Sequence, residues 1–175
     1  VGLGSNLGEP LAHLARARAA LAALRLARLD AVSSIYWTEP QGYKEQAWFA
    51  NQVARLACKP ELTPDDLLYE LMEIERQLGR EREDPSRSDG VRFGPRVIDL
   101  DLLLFGNLTK QTRVLTLPHP RMRTRAFVLV PLRELAPDLV FPDKKSLDAV
   151  LEKVSFCVES DKIWQSVPLT QSYEE

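Results

Sequence analysis

The run Val97-Ile98-Asp99-Leu100-Asp101-Leu102-Leu103-Leu104-Phe105 is the most apolar in the chain, and two carboxylates sit inside it. Its length and composition predict a buried strand. Side chains two apart on a strand share a face, so Asp99 and Asp101 project side by side. Like carboxylates that close repel each other and resist burial, so the fold must bring cations to them. A divalent metal is the economical partner, because Mg²⁺ combines one or two carboxylates with water and phosphate oxygens. Arginine salt bridges, Arg96 among them, or a solvated strand end are the alternatives.

Arginines crowd both sides of this strand: Arg80, Arg82, Arg87, Arg92 and Arg96 precede it, and Arg121, Arg123 and Arg125 follow. From Leu102 to Arg133 there is no acid and there are six basic residues; a total of -2 with +6 in this stretch leaves -8 elsewhere. A basic segment in an acidic body suggests a localised anion site rather than general adhesion to nucleic acid. Guanidinium groups suit phosphate oxygens, and with metal-binding carboxylates they point to phosphoryl or nucleotidyl transfer. His119, held between Pro118 and Pro120 in the basic segment, is a candidate phosphate contact.

The remaining pattern predicts an α+β fold. Glu9-Pro10 opens a helix to about Leu29, Val32–Thr38 and Phe49–Cys58 form two strands, and Thr63-Pro64-Asp65-Asp66 starts a helix that Gly79 stops. Residues 80–94 form a long charged loop, of the kind that serves as a lid. A short extended piece at Val114–Leu117, a helix over Arg125–Leu135 and a last helix capped by Ser146 follow, then a polar tail. The order strand, helix, strand, strand, helix, strand predicts a ferredoxin-like βαββαβ core with an antiparallel sheet, helices on one face, and C-terminal helical additions. All 175 residues are expected in one domain.

Several classes are excluded. The longest stretch free of Asp, Glu, Lys and Arg is eleven residues, Ile163–Tyr173, too short for a membrane-spanning helix. Cys58 and Cys157 lie too far apart for a zinc or redox motif, so a reducing compartment is expected. No secretory pattern is present, and a cytoplasmic location is expected. The chain opens in Val1-Gly2-Leu3-Gly4, as though a strand were entered midway, and residues are expected ahead of Val1. Gly2-Leu3-Gly4-Ser5-Asn6-Leu7-Gly8 matches neither the dinucleotide nor the P-loop spacing and reads as a tight turn into a helix. Asp-x-Asp also opens a phosphatase motif, but here Leu103 stands where Thr or Val is expected. An RNA-recognition module shares the element order, yet Asn51–Leu56 has no aromatic RNA-binding pattern and the pI is near 5.8.

Taken together, Gly2–Gly8, Ser34-Ile35-Tyr36 with Thr38-Glu39-Pro40, Phe49-Ala50-Asn51, Arg92–Gly106 and Leu115–Met122 through Phe127 resemble the 6-hydroxymethyl-7,8-dihydropterin pyrophosphokinase family. The match runs in order from Val1 to about Pro142, and 143–175 has no assigned role. The resemblance implies transfer of the pyrophosphoryl group of ATP to the pterin hydroxymethyl, with two Mg²⁺ ions on Asp99 and Asp101. It implies Arg80, Arg82, Arg92 and Arg96 as further catalytic groups, and Glu75, Ile98, Thr116, His119 and Arg125 around ATP. For the pterin it implies hydrogen bonding at Asn51, a ring sandwich between Phe49 and Phe127, and lining by Thr38, Glu39 and Gln41. ATP and the reduced pterin are the expected partners, with no nucleic acid or membrane, and a monomer is expected. Phe49 stands where the family often has Tyr, Phe93 where Trp is usual, and Val114 where some members have Arg.

Overall fold

The computed structural model describes residues 1–40, 45–80 and 94–165. Strand β1 (Gly2–Ser5) leads into helix α1 (Pro10–Ala22), followed by β2 (Ala27–Val32), β3 (Tyr36–Thr38), β4 (Phe49–Cys58) and helix α2 (Pro64–Gln77). Then come β5 (Asp99–Asp101), the small hairpin β6 (Lys110–Gln111) and β7 (Thr116–Leu117), helices α3 (Ala126–Leu135) and α4 (Leu147–Leu151), and strands β8 (Phe156–Glu159) and β9 (Lys162–Gln165).

The result is a mixed α+β fold around one large sheet, in the order β5-β1-β4-β3-β9-β8, with β2 also pairing β4. The expected second strand is one strand broken in two. Both β2 and β3 run antiparallel to β4, and Ser33 bridges the gap between them. Its N–H donates to the Val53 carbonyl at 2.9 Å, and its Oγ accepts from the Val53 N–H at 3.0 Å.

Two expectations are corrected: the sheet is not wholly antiparallel, because β9 pairs with β3 in parallel, and strands follow the last helix, where none was expected. The two helices of the core share one face, as expected, and the later helix α3 takes the other. Leu14, Ala17 and Leu21 of α1 and Leu67, Leu71 and Ile74 of α2 pack with Leu3, Ala50, Ala54 and Leu100. On the other face, α3 sets Val128, Leu129 and Leu132 against Val53 and Leu103. Alternation along β4 feeds both cores, since Ala50 and Ala54 point one way and Val53 the other. The strands beyond α4, β8 and β9, form an antiparallel hairpin; the polar tail after Trp164 lies, but for Gln165, outside the described residues.

Element limits shift for local reasons. Helix α1 ends at Ala22 rather than Leu29, and the residues from Ala27 pair with β4 instead. Thr63 caps α2 as expected, accepting from the Asp66 N–H at 3.2 Å while the Asp66 carboxylate accepts from the Thr63 N–H at 3.3 Å. The β5 ladder is shorter than the apolar run, because its pairing with β1 ends at Gly2 opposite Asp101. Beyond it, the Leu103 carbonyl accepts from the His119 N–H at 2.8 Å, which ties the basic segment to the end of the strand. No helix among the described residues is long and apolar enough to cross a membrane.

Candidate active site

The registers of β1, β4 and β5 fix which side chains share the α3 face of the sheet. Asp99 lies opposite Gly4, and Gly4 opposite Asn51; Asp101 lies opposite Gly2, and Gly2 opposite Val53. Directly opposed residues of antiparallel strands point to the same side, so the two aspartates share a face with Asn51, and only glycines stand between them. Thr38 opposes Phe49 and Tyr36 opposes Asn51, which adds Thr38 and Phe49 to that face. Neighbouring strands are about 4.8 Å apart, so the Asn51 and Asp99 backbones are separated by two strand spacings, about 10 Å.

At one end of this floor, both carboxylates meet arginines. The Asp99 carboxylate accepts from Arg80 Nη1 on Oδ1 and from Arg96 Nη1 on Oδ2, the latter at 2.7 Å. Burial works against the charge on Asp99, but the Arg96 and Arg80 guanidiniums outweigh it and hold the carboxyl below its ordinary range. Arg80 also donates to Glu75, whose Oε1 accepts from the Leu100 N–H at 2.7 Å. Glu75 is only 2% exposed, and through these bonds it fixes Arg80 to the backbone of β5. Burial lowers the Arg80 pKa, yet Asp99 and Glu75 more than reverse this and keep the cation firmly protonated.

Asp101 is held more loosely. Arg125 Nη1 lies 3.3 Å from its Oδ2, and His119 Nε2 lies 3.9 Å from its Oδ1. Burial lowers the His119 pKa, with Asp101 opposing and Arg125 and Arg121 reinforcing the shift, so the imidazole is neutral at pH 7. The Arg121 N–H donates to His119 Nδ1 at 3.3 Å, which leaves the ring proton on Nε2, facing Asp101. A cleft of about 770 Å³ opens over this cluster, lined among others by Arg80, Arg96, Asp99, Asp101, Thr116 and His119.

The donor set suits Mg²⁺ shared with a phosphate. No group of three His, Cys, Asp or Glu converges among the described residues, so the protein supplies two carboxylates and further oxygens must come from ligand and water. Asp99 also makes the expected arginine salt bridges, with Arg80 and Arg96.

At the other end, Asn51 Nδ2 donates to Thr38 Oγ1 at 2.8 Å and to the Phe49 carbonyl at 3.3 Å. This orients the carboxamide oxygen toward β1, where it faces Gly4. Arg125 joins the two ends: its guanidinium carbon lies 5.4 Å from the centre of the Phe127 ring while the same group contacts Asp101. Glu39 is half-buried beside Thr38.

Ile98 does not reach the cleft. It is fully buried in the core beneath the sheet, on the face opposite Asp99. Gln41, Arg82, Arg92 and nearly all of the expected 80–94 lid lie outside the described residues. The first half of the glycine-rich opening, Gly2–Ser5, is strand β1 rather than a turn, and only the residues after it turn into α1; its polar residues have a role that the motif spacing did not reveal. Asn6 accepts from the Arg96 N–H at 2.8 Å and donates to Gln46 at 2.9 Å and to the Ala47 carbonyl at 3.1 Å, while Ser5 Oγ donates to the Val97 carbonyl at 2.6 Å. Together they hold the backbone of Arg96. Each of these contacts spans forty residues or more, so no local spacing could have announced them.

The model of the 7,8-dihydro-6-hydroxymethylpterin-pyrophosphokinase (HPPK) family matches residues 1–137. A 2-amino-4-hydroxy-6-hydroxymethyldihydropteridine pyrophosphokinase of Pseudomonas aeruginosa is 44% identical over 156 residues, covering 89% of this chain and 91% of the relative. The protein of the same name from Methylorubrum extorquens is 48% identical over 140 residues, 80% of this chain and 83% of that one. The folic acid synthesis protein fol1 of Schizosaccharomyces pombe is 36% identical over 152 residues, 86% of this chain but only 20% of that longer protein. With the family model spanning most of the chain and the bacterial relatives matched over most of their length, the chain belongs to the 7,8-dihydro-6-hydroxymethylpterin-pyrophosphokinase family.

Proposed function

We propose that this enzyme, which transfers the pyrophosphoryl group of ATP to hydroxymethyldihydropterin in folate synthesis, holds its two substrates end to end along the α3 face of the sheet. The observation that carries the reading is the row Asp99, Gly4, Asn51, with carboxylates at one end, a carboxamide at the other and a floor without side chains between them. The core that builds this face is read as ferredoxin-like, supported by the order β5-β1-β4 with the broken β2/β3 strand at its edge.

The pterin lies over the glycine floor, its edge read by the Asn51 carboxamide and its faces by Phe49 and Phe127. A flat heteroaromatic ring gains from two aromatic faces while its polar edge needs fixed partners. The hydroxymethyl group then points toward Asp99 and Asp101. Those carboxylates would hold two Mg²⁺ ions, which would supply charge neutralisation for the triphosphate and polarisation of the β-phosphoryl group.

Among the described residues, the carboxylates of Glu75, Asp99 and Asp101 face the guanidiniums of Arg80, Arg96 and Arg125. As ATP docks, Arg80, Arg96 and Arg125 exchange carboxylate oxygens for phosphate oxygens. Arg125 keeps its side chain beside the Phe127 ring and so stands where pterin and triphosphate meet. Neutral His119 donates from Nε2 to a phosphate oxygen. The substrate hydroxyl attacks the β-phosphorus, the bond from that phosphorus to the oxygen bridging the α-phosphate breaks, AMP leaves and the hydroxyl proton passes to solvent. The arginines stabilise the charge that develops on the leaving phosphate.

The test is incubation with ATP, Mg²⁺ and 6-hydroxymethyl-7,8-dihydropterin, following AMP and the pterin diphosphate. ADP in place of AMP would mean ordinary phosphoryl transfer. Pterin binding with no product would leave a binding protein, and either result would overturn the mechanism.

A further inference from the structure

The β8–β9 hairpin lies beyond the residues matched by the family model, yet it touches the supports of Thr38, Phe49 and Phe127, three residues assigned to the pterin. Its second strand pairs in parallel with β3, Trp37 with Lys162 and Thr38 with Ile163, and the Trp37 N–H donates to the Asp161 carbonyl at 2.7 Å. Trp164 meets Trp48, the residue before Phe49, edge to face, with ring centres 5.7 Å apart. The strand's last residue, Gln165, reaches the start of α3. Its Oε1 accepts from the Ala126 N–H at 2.8 Å, and its Nε2 donates to the Thr124 carbonyl at 2.5 Å.

Those two bonds bracket Arg125 and end one residue before Phe127. The first N–H groups of a helix need acceptors from outside it. Arg125 occupies the N-cap of α3 and makes no side-chain cap bond. A residue forty positions away supplies the acceptor instead. A carboxamide suits the place because the turn presents a donor and an acceptor together, and only a group carrying both answers both. A carboxylate would keep the bond to Ala126 but would set an anion against the Thr124 carbonyl.

We propose that Gln165, carried by the β8–β9 hairpin, is a positioning residue of the pterin pocket, holding the Thr124–Phe127 turn so that the Phe127 ring closes on the substrate. This rests on the assignment of Phe127 to the pterin, and the experiment separates the two ideas. Gln165→Met keeps the length of the side chain and loses both bonds, Gln165→Glu keeps the acceptor, and Phe127→Ala removes the ring. Gln165→Met and Phe127→Ala are combined in a double-mutant cycle. KM for the pterin, KM for ATP, kcat and the melting temperature are measured for each.

Gln165→Met raises pterin KM by up to about 25-fold, the equivalent of two lost neutral hydrogen bonds at about 1 kcal/mol each, and Gln165→Glu raises it less. In the Phe127→Ala background, Gln165→Met has no further effect on pterin KM, because the ring it positions is gone. Additive effects, or a pterin KM that does not move in a Gln165→Met protein with an unchanged melting temperature, would refute the positioning role. An unchanged pterin KM in Phe127→Ala would instead refute the pocket itself. If Gln165→Met proves too unstable to assay, Gln165→Glu in the two backgrounds decides the question by the same comparison.

Discussion

Substituting Gly4 by alanine tests the glycine floor, and its effects on stability and on substrate recognition have different sizes. Gly4 has no left-handed backbone conformation, so Ala is admissible there. Its Cβ would stand 3.2 Å from Asn51 Oδ1 and 4.0 Å from the Asp99 Cβ. The second distance is ordinary contact; the first is tight, and the Asn51 carboxamide must retreat by a few tenths of an ångström. It is tethered to Thr38 Oγ1 at 2.8 Å, so the retreat costs alignment of the oxygen proposed to meet the pterin. Losing one neutral hydrogen bond, about 1 kcal/mol, raises KM about fivefold. The unfolded chain meanwhile loses entropy worth about 0.4–1 kcal/mol in favour of the fold, which offsets the strain of the contact. Gly4→Ala should therefore melt within about 4 °C of the parent, with pterin KM up about fivefold and ATP KM and kcat nearly unchanged. Gly2→Ala is the control, since the atoms nearest to a Cβ there are those of the Leu103 side chain, in ordinary contact from 3.5 Å, and it should leave pterin KM alone. Gly4→Val, with two methyls over the floor, should remove turnover. Steady-state kinetics with each substrate varied and a thermal melt decide the matter. A Gly4→Val enzyme with near-parental pterin KM would show that the ring lies elsewhere.

The remaining tests address other links. Asp99→Ala or Asp101→Ala should lower AMP production by at least about 10³-fold, the loss of several kcal/mol of charge stabilisation, and chelation of divalent ions should do the same to the parent enzyme; near-normal Mg²⁺-dependent turnover in either variant refutes the metal assignment. Thr63→Ala breaks the capping box of α2 and should cost about 1 kcal/mol, or 2–4 °C in melting temperature, with kcat unaltered. Burial and the hydrogen bond to Glu134 push the Tyr36 phenol up to about 12. A raised pKa favours the protonated form in the fold, so its contribution to stability is present below about pH 10 and is lost as pH rises toward 12. A spectrophotometric titration should show one phenol ionising late, and Tyr36→Phe should abolish that phase; an unchanged late phase would refute the assignment.

The parts of the fold visible in the sequence are those whose stabilising contacts are local. The start of α2 at Thr63 is spelled by a cap, a proline and two carboxylates within four residues. The limits of β4 are set by its own β-branched and apolar content, and they agree with expectation from Phe49 to Cys58. Elsewhere a tertiary contact won. The Leu24, Leu26 and Leu29 series continues the apolar content of α1 with no glycine or proline to stop it, yet these residues leave the helix because Ala27–Val32 gains a ladder against β4. Strand β8 is mostly exposed and β9 buries only Ile163 fully, so neither has a clear alternating pattern of its own. Pairing with β3 makes them strands, and a pairing partner more than a hundred residues away leaves no periodic trace.

The same distinction explains the site. Period-two alternation puts Asp99 and Asp101 on one face, and charge alone requires cations there, so the carboxylate end of the candidate site is readable from a nine-residue run. The arginines that answer were recognisable as a group, but their assignment was not: Arg96 reaches Asp99 from three residues away, whereas Arg80 arrives because the buried Glu75 holds it to β5. The end proposed for the pterin depends on cross-strand register, which sets Gly4 as floor between Asn51 and Asp99. It also depends on α3 covering the opposite face from α1 and α2, a choice that the element order leaves open and that brings Arg125 and Phe127 over the same row. Residues that donate charge declare themselves through composition; residues that hold others in place, such as Asn6, Glu75 and Gln165, use ordinary polar side chains on distant backbone. Substitutions at these positions should therefore move substrate affinity while leaving the charged machinery intact, and that separation of effects distinguishes them from the carboxylates and arginines they serve.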